Sequence, residues 1–501
     1  MKIRKLVAAL PDAEWVSLPD SEVHGVVADS RLVRPGDLFV SIAGSQVDGH
    51  RYIADAVRRG AVAVVAEHPV DVPEGTGLVL VPDGRRALSA LSAAFWDYPS
   101  RKVPLVGITG TNGKTTTAFL VKAIAEAVGV KAGIIGTAGM MLGSEVVEGK
   151  SGFTTPEAPT LHRLLATMVA RGAGVVAMEV SSHGLEQQRV ADCQFDVAVF
   201  TNLTHEHLDY HKDMEHYFAA KARLFHMLQP GAAAVINLDD PYGPAMMEEV
   251  PPGVRIIPYG FRQEATVRAE GLVHSATGVE YRLITPEGDA WVRSPYLFGT
   301  YNVSNAMAAV AAGLALGYGL DAAVQALATA KGAPGRFQLI DMGQDFMVVV
   351  DYAHTPDGFE KLLSDVARIR QPGGRIIMVF GSAGHRDHTK RPAMGRIAGE
   401  YCDMLVLTEE DPRTEDAMQI AREIASGVDR HGVEIHLIED RVEAIHFAIG
   451  AARKGDIVLI TGKGNETDLE VLHPTVWRGD VPAAEDALRE AMAASGGTRG
   501  R

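Results

Sequence analysis

The run Gly110-Thr111-Asn112-Gly113-Lys114-Thr115-Thr116 joins an apolar stretch to a helix-forming one. That is the setting a phosphate-binding loop needs. Glycines let backbone N–H groups curl around phosphate oxygens, and the following helix N-terminus adds partial positive charge. Lys114 is placed to reach terminal phosphates, and the Thr115 hydroxyl suits a nucleotide-held Mg²⁺. The strict spacing GxxxxGK[ST] is not met, because position 108 is isoleucine; a plain glycine turn is the alternative. A strand-end acid should complete the metal site, and Glu179 closes an apolar run. Alone, Glu179 would read as a solvated or paired acid. The segment FTNLTHEHLDYH at 200–211 packs His205, Glu206, His207, Asp209 and His211 together. Zinc is one reading of such a cluster. Without nearby cysteines or an HExxH pattern, a second site beside the nucleotide Mg²⁺ is more economical, and a polar loop with surface histidines is the plainer alternative.

These groups need a frame. The chain has 501 residues, enough for about three domains. Its 47% hydrophobic content is that of a globular protein. The net charge of −15 argues against a nucleic-acid coat and against an anionic membrane surface as partner. An anionic ligand must then be held by local cations, helix N-termini or metals. Two cysteines, Cys193 and Cys402, fit a reducing compartment, and the N-terminal apolar run is too short for a signal peptide, so a cytoplasmic protein is expected. Residues 306–320 hold three glycines and are too short to span a bilayer. They read as a buried helix. The tail 496–501 reads as frayed.

Apolar runs at 103–108, 175–180, 197–200 and 233–236 alternate with helical stretches, as in a parallel sheet covered on both faces. The alternation restarts beyond 334, with strands expected at 347–350, 375–380, 404–407 and 457–460. The fold class is α/β: a small N-terminal α/β domain at 1–98, a central P-loop ATPase-like parallel sheet at 99–333, and a Rossmann-like domain at 334–501. DYAHTPD, GSAGHRD, EEDPR and GKGNE directly follow the last four strands, where open α/β sheets bind ligands.

TGTNGKTT, MEVSSHGLEQQRV, FTNLTHEHLDYH, YFAAKARLF, GTYNVSNAMAA, GRFQ, DYAHTPD and GKGNE occur in one order. Together they resemble the Mur ligases, ATP-dependent amide-bond ligases of peptidoglycan precursor and cell-wall synthesis. Within the family the chain is most similar to the ligases that add the third amino acid to UDP-N-acetylmuramoyl-L-alanyl-D-glutamate. The resemblance runs from Asp29 to Glu466. It implies a UDP-binding domain, an ATPase domain and an amino-acid-binding domain, in a cytoplasmic monomer. It also implies two Mg²⁺ ions, with ATP as co-substrate.

By position, the resemblance places Ser30 at the uridine. It puts Thr154, Thr155, Ser181, Gln187 and Arg189 at the muramoyl dipeptide. Lys114 and Thr115 are the phosphate-loop residues; Glu179 and His207 are magnesium ligands. Lys221 matches a lysine carbamylated in the family, whose carboxylate-like product can ligate a second Mg²⁺. Asn302 and Arg336 fall at the adenine and the terminal phosphate, and Asp351 and His354 in a nucleotide motif. Arg386, Asp411, Arg413, Gly462 and Glu466 fall at the incoming amino acid.

Two departures bear on which amino acid that is. The diaminopimelate-adding subgroup carries DNPR; here Glu410-Asp411-Pro412-Arg413 stands in its place. Arg413 suits a bidentate grip on a second carboxylate, favouring meso-diaminopimelate. Asp411 replaces an amide with a charge that would favour lysine or ornithine. Asn465 stands where the family's GKGHE has histidine. The implied chemistry is attack of the D-glutamate γ-carboxylate on the γ-phosphoryl of ATP, then attack of the amine on the acylphosphate. The alternatives are a folate polyglutamate synthase-like ligase, a nucleotide switch or transport ATPase, and a non-catalytic precursor binder. Asp29-Ser30-Arg31 and MEVSSHG argue against the first and Lys221 with GKGNE against the second. Retention of Lys114, Glu179 and Lys221 argues against the third.

Overall fold

Runs of consecutive apolar residues have no polar face to show water, so they form strands covered on both sides. In the first hundred residues these are β2 (Gly25–Val27), β3 (Asp37–Val40), β4 (Ala63–Ala66) and β5 (Gly77–Leu80), mutually parallel; β1 (Glu14–Ser17) joins antiparallel at the edge. The order is β1-β5-β4-β3-β2. Leu38, Val40, Val65 and Val79 pack beneath the helix Gly84–Phe95, while Phe39, Val64 and Ala66 pack beneath Ile53 and Ala56. Asp83 caps that longer helix by accepting from the Arg86 N–H at 3.0 Å.

A computed structural model describes residues 1–44, 47–149, 152–206, 208–275, 277–473 and 475–496, without the side chains of 208, 209 and 494–496. His207, the side chain of Asp209 and the terminal 497–501 lie outside the described residues. The chain divides into two units, Met1–Arg268 with Met307–Ala323, and Ala269–Ala306 with Val324–Arg501.

The first unit also holds most of the central mixed sheet, whose eleven strands include β6 (Leu105–Thr109), β7 (Ala132–Gly136), β8 (Gly139–Leu142), β9 (Glu145–Glu148), β10 (Val175–Glu179), β11 (Val197–Phe200), β12 (Ala233–Asn237) and β13 (Arg255–Gly260). From β7 to β13 the spatial order is β7-β10-β6-β11-β12-β13, all parallel. β6 therefore sits between β10 and β11, and the chain leaves it toward β7 on one side before returning to β11 on the other. This is a topological switch point, where a crevice opens beyond the carboxyl ends of the strands. Gly107 lets the sheet pack closely: a Cβ there would lie 2.7 Å from the Phe195 ring.

Chain passage to the second unit occurs within β14 (Val267–Ser275), followed by the hairpin β15 (Gly278–Thr285) and β16 (Gly288–Ser294). The third sheet comprises β17 (Gln338–Leu339), β18 (Met347–Asp351), β19 (Ile376–Phe380), β20 (Met404–Leu407), β21 (Glu434–Leu437) and β22 (Ile457–Thr461). Its order is β17-β18-β22-β19-β20-β21, parallel except for β17. Strand β22 between β18 and β19 makes a second switch point. Residues 306–320 are not one element: the buried helix Thr300–Ala315 ends before Gly317 and Gly319, both at positive φ, and Leu320 starts the next helix. Among the described residues no helix is long and apolar enough to cross a membrane.

Candidate functional site

The glycine-rich loop leaves β6 at the first switch point and enters the helix Lys114–Ala127, with Gly113 at φ 88° as its N-cap. Lys114 Nζ donates to the carbonyls of Gly110 and Thr111, both at 2.8 Å, and so lies over the loop. The register of β10 beside β6 brings Glu179 opposite Ile108, next to the loop. The Thr115 hydroxyl donates to Glu179 Oε2 at 2.9 Å, and Glu179 Oε1 accepts from the Thr137 N–H at 2.9 Å. Glu179 is buried. A hydroxyl and a carboxylate converging beside a phosphate loop form an all-oxygen donor set, which fits Mg²⁺.

Both switch-point neighbours hold the loop. Thr116 is buried on the first turn of the helix, while Thr111 Oγ1 accepts from the Thr204 N–H at 3.0 Å. Asn112 pairs with Asn202 through its N–H at 2.9 Å and its carbonyl at 3.1 Å. The N–H groups of Thr111 and Asn112 both go to Asn202.

Lys221 comes from the helix Met214–His226 and is 1% exposed, its Nζ 4.4 Å from the Tyr217 ring centroid. Burial, with the nearby positive Lys114, holds its pKa far below the ordinary lysine value. The Glu206 carboxylate pulls it the other way. Burial thus favours the neutral amine, the form that adds to CO₂, so a carbamate is chemically accessible here.

Five residues assigned by resemblance to the muramoyl dipeptide form one network on the end of β10. The Thr155 hydroxyl donates to the Glu179 carbonyl at 2.9 Å and accepts from the Ser181 N–H at 2.9 Å. The Thr154 hydroxyl accepts from that of Thr137 at 3.2 Å. Arg189 donates to the Thr155 carbonyl at 2.7 Å and to Gln187 Oε1 at 2.6 Å. It also pairs with Glu157 at 2.8 Å and lies over the Phe153 ring. Burial pulls the Arg189 pKa down, so this guanidinium is poorly hydrated and well suited to a carboxylate. Ser30 lies apart from this network, buried at the start of the 3-10 turn Ser30–Leu32 that Asp29 caps.

The second unit assembles the other candidates. Asp351 ends β18, buried, and accepts from the N–H groups of Phe337 at 2.7 Å and Ala353 at 2.8 Å; burial raises its pKa. The Arg336 guanidinium lies 4.0 Å from the Tyr352 ring centroid, and His354 Nδ1 lies 2.7 Å from the Tyr352 carbonyl. The Asn302 side chain donates to the Phe298 carbonyl at 2.8 Å, and Phe298 stacks on Phe337.

At the ends of β19, β20 and β22 the amino-acid candidates meet. Asp411 Oδ2 lies 2.7 Å and Glu466 Oε2 2.6 Å from Lys463 Nζ. Arg413 pairs with Glu470 at 2.6 Å and donates to the Gly384 carbonyl at 2.8 Å. Asp411 and Arg413 both hold positive φ, 46° and 58°, unusual for non-glycine residues. Gly462 abuts Glu410: a Cβ there would lie 2.0 Å from Glu410 Oε2. Arg386 sits exposed on a bend, without an ion pair among the described residues. Glu410 is 5% exposed, its Oε2 lacks a hydrogen-bond partner, and burial raises its pKa to about 7.

Sequence reasoning passed over Thr137, Asn202 and Lys463, and named Glu410 only as part of the segment standing in place of DNPR. Asn202 and Lys463 lay inside the quoted motifs FTNLTHEHLDYH and GKGNE, so a signal existed. Thr137 carried none, because its partner is 42 residues away.

The chain matches the Mur ligase middle domain over residues 108–313, the Mur ligase glutamate ligase domain over 335–464, and the Mur ligase family catalytic domain over 22–96. It is 44% identical to a UDP-N-acetylmuramoyl-L-alanyl-D-glutamate–2,6-diaminopimelate ligase of Geobacter metallireducens, covering 93% of this chain and 94% of that one. It is 41% identical to a UDP-N-acetylmuramyl-tripeptide synthetase of Roseiflexus sp., covering 99% and 98%. A solved UDP-N-acetylmuramoyl-L-alanyl-D-glutamate–2,6-diaminopimelate ligase superposes with a TM-score of 0.72 at 32% identity, covering 98% of this chain and all of that one. Mycobacterium tuberculosis folylpolyglutamate synthase shares the fold, with a TM-score of 0.61 at 20% identity over 75% of this chain and 91% of that one. The phosphate loop, the strand-end Glu179 and the buried Lys221 thus stand in a chain matched by three consecutive Mur domains, and the chain belongs to the Mur ligase family.

Proposed function

We propose that this ATP-dependent Mur ligase joins meso-2,6-diaminopimelate to UDP-N-acetylmuramoyl-L-alanyl-D-glutamate, in peptidoglycan precursor synthesis. The observation that carries the reading is the hydrogen bond from the Thr155 hydroxyl to the carbonyl of Glu179. It ties the network around Arg189, which suits a carboxylate substrate, to the strand whose acid faces the phosphate loop.

Both reactants are anionic, so positioning and charge neutralisation do most of the catalytic work. Arg189 with Thr154, Thr155, Ser181 and Gln187 orients the peptide carboxylate. Lys114 and Arg336 neutralise phosphate charge, and Asn302, Asp351 and His354 hold the nucleotide. Thr115, Glu179, His207 and carbamylated Lys221 would hold two Mg²⁺ ions, which would supply further neutralisation of the phosphates. A carboxylate oxygen bonds to the γ-phosphorus and ADP departs. The amine nitrogen then bonds to the acyl carbon, phosphate departs, and one proton is released from the amine. Ser30 and residues 1–98 serve the uridine end, 99–333 the ATP and 334–501 the amino acid, in a cytoplasmic monomer.

The choice of diaminopimelate rests on Lys463. Its ammonium engages both Asp411 and Glu466. One ammonium is shared between two carboxylates, so the charge that Asp411 adds is partly met within the protein, and the reason for expecting a lysine or ornithine substrate is weakened. Arg413, with Arg386, Gly462 and Glu466, is left to read the second amino-acid centre; its pair with the exposed Glu470 is readily exchanged for a substrate carboxylate.

The test supplies ATP, Mg²⁺ and the UDP-muramoyl dipeptide with diaminopimelate, lysine or ornithine, following phosphate release and product mass. Release that requires both the dipeptide and diaminopimelate is expected. Release with neither present would overturn the ligase reading, and faster turnover with lysine or ornithine would overturn the substrate. Lys221→Ala should lose at least about 100-fold in kcat, as expected when charge neutralisation at a transferring phosphoryl is removed.

A further inference from the structure

Phosphate loops are held by their own turn and by the helix that follows, yet here the middle of the loop is held from outside. Asn202, two residues beyond β11, accepts from the Asn112 N–H at its Oδ1, 2.9 Å away, and returns a hydrogen bond from its Nδ2 to the Asn112 carbonyl at 3.1 Å. Its own backbone carbonyl accepts from the Thr111 N–H at 2.9 Å. One asparagine thereby occupies three backbone groups of two successive loop residues. We propose that Asn202 is a positioning residue for ATP, setting where the phosphate loop lies and coupling it to the loop that leads into the magnesium-ligand segment.

Neighbouring contacts make the clamp rigid. The Thr201 hydroxyl donates to the Asn112 carbonyl at 2.6 Å, beside the Asn202 amide. Gly110 must be glycine for this approach, since a Cβ there would lie 1.9 Å from Thr201 Oγ1. The clamp is itself anchored in the sheet. Asn237, ending β12, donates to the Thr201 carbonyl at 2.7 Å; Tyr259 on β13 donates to the Phe200 carbonyl at 3.2 Å; Asp240 accepts from the Leu203 N–H at 3.0 Å. On the loop side, Thr111 Oγ1 accepts from the Thr204 N–H at 3.0 Å. Residues 200–204 therefore form a strap, bonded to two strands on one side and to the phosphate loop on the other. The chain runs from this strap directly into His205 and Glu206.

A short amide suits the clamp because its planar group sets an acceptor and a donor side by side, matching the Asn112 N–H and carbonyl. Aspartate would keep the acceptor for the Asn112 N–H, but would set a second carboxylate oxygen against the Asn112 carbonyl and add negative charge beside a triphosphate site. Alanine removes both bonds while leaving the Thr201 bond in place. The proposal rests on the ATP-dependent reading above.

The experiment compares the full chain with Asn202→Ala and Asn202→Asp. It measures ATP binding to the free protein by calorimetry, steady-state KM for ATP and for the UDP-muramoyl dipeptide, kcat, and the nucleotide-free melting temperature. Both variants should lose on the order of 100-fold in kcat/KM for ATP, the scale of a misplaced reacting group. Their dipeptide KM should stay within about threefold, and the aspartate should be at least as impaired as the alanine. Variants that melt earlier yet keep wild-type ATP affinity and KM would overturn the proposal, leaving Asn202 structural only. So would an aspartate variant that restores wild-type ATP kinetics. If the wild type binds ATP but makes no amide product, the ligase reading has failed, and calorimetry still decides the role of Asn202.

Discussion

Lys463 Nζ lies 2.7 Å from Asp411 Oδ2, and this pair changes what the aspartate means. Lys463 is 2% exposed, so the ammonium is shielded from water. Its pKa is raised by Asp411 and Glu466 against the pull of burial. Asp411→Asn should therefore leave the preference for diaminopimelate over lysine within about threefold of wild type. Arg413→Ala should cost diaminopimelate at least about tenfold in kcat/KM, the scale of a lost charged hydrogen bond, and leave lysine turnover less affected. Competition assays with both amino acids read these ratios; a shift toward diaminopimelate well beyond threefold in Asp411→Asn would show that the aspartate does read the substrate.

The bond between Thr115 and Glu179 predicts a metal-dependent enzyme. Chelation of divalent cations should abolish phosphate release, and added Mg²⁺ should restore it. Glu179→Gln keeps the size but halves the acceptor capacity and removes the charge; its kcat should fall at least about 100-fold and respond weakly to excess Mg²⁺. Unchanged activity in chelator would contradict the donor set.

His162 sits fully buried in the helix Ala158–Ala170, with neither ring nitrogen hydrogen-bonded. Burial depresses its pKa from 6.5 to about 4. Between these values the unfolded chain binds a proton that the folded chain does not, so stability falls as pH drops from 6.5 toward 4. The loss from this group totals about 3 kcal/mol. Denaturation followed from pH 7 to pH 4 should show a shallower decline for His162→Leu than for wild type. Parallel curves would remove this histidine as the cause.

Glu410 carries the opposite sign. Its pKa rises from 4.5 to about 7 on burial, so the folded chain keeps a proton the unfolded one has lost. Its stabilising contribution is present at low pH and declines as pH rises from 4.5 to about 7. Glu410→Gln should raise stability at pH 8 more than at pH 5, read by chemical denaturation; an equal change at both values would rule out the shifted carboxyl.

Arg441 and Asp480 form a fully buried, doubly bonded pair at 2.7 and 2.8 Å, and Arg441 also donates to the carbonyls of Thr461 and Glu409. It thus braces the ends of β22 and β20, which carry Gly462 and Glu410. Arg441→Met should cost about 3–5 kcal/mol because it strands a buried carboxylate. Arg441→Met with Asp480→Leu should cost less than the single change, as melting curves would show.

Much of this was legible in sequence because it is local or periodic. Apolar runs placed β11 and β20 at their observed bounds, 197–200 and 404–407, and placed β10 and β18 within a residue at one end. Strand continuity depends on burial of successive side chains, which composition shows. The loop at 110–116 was visible for a similar reason: its glycines and lysine are contiguous, and the strand and helix around it are regular.

What tertiary structure alone decided concerns partners distant in the chain. The sequence by itself supplied a phosphate loop, a strand-end acid, a lysine on a helix and an ordered set of family motifs. It could not show that Asn202 grips Asn112 from 90 residues away, because strand order, not sequence order, puts β11 beside β6. Nor could it show that Lys463 meets Asp411 across 52 residues, since both lie at carboxyl ends of a sheet in which β22 and β20 flank β19. A charge read in sequence has only its neighbours' identities. In the fold it has a counter-ion, and the counter-ion decides whether the charge is offered to a substrate.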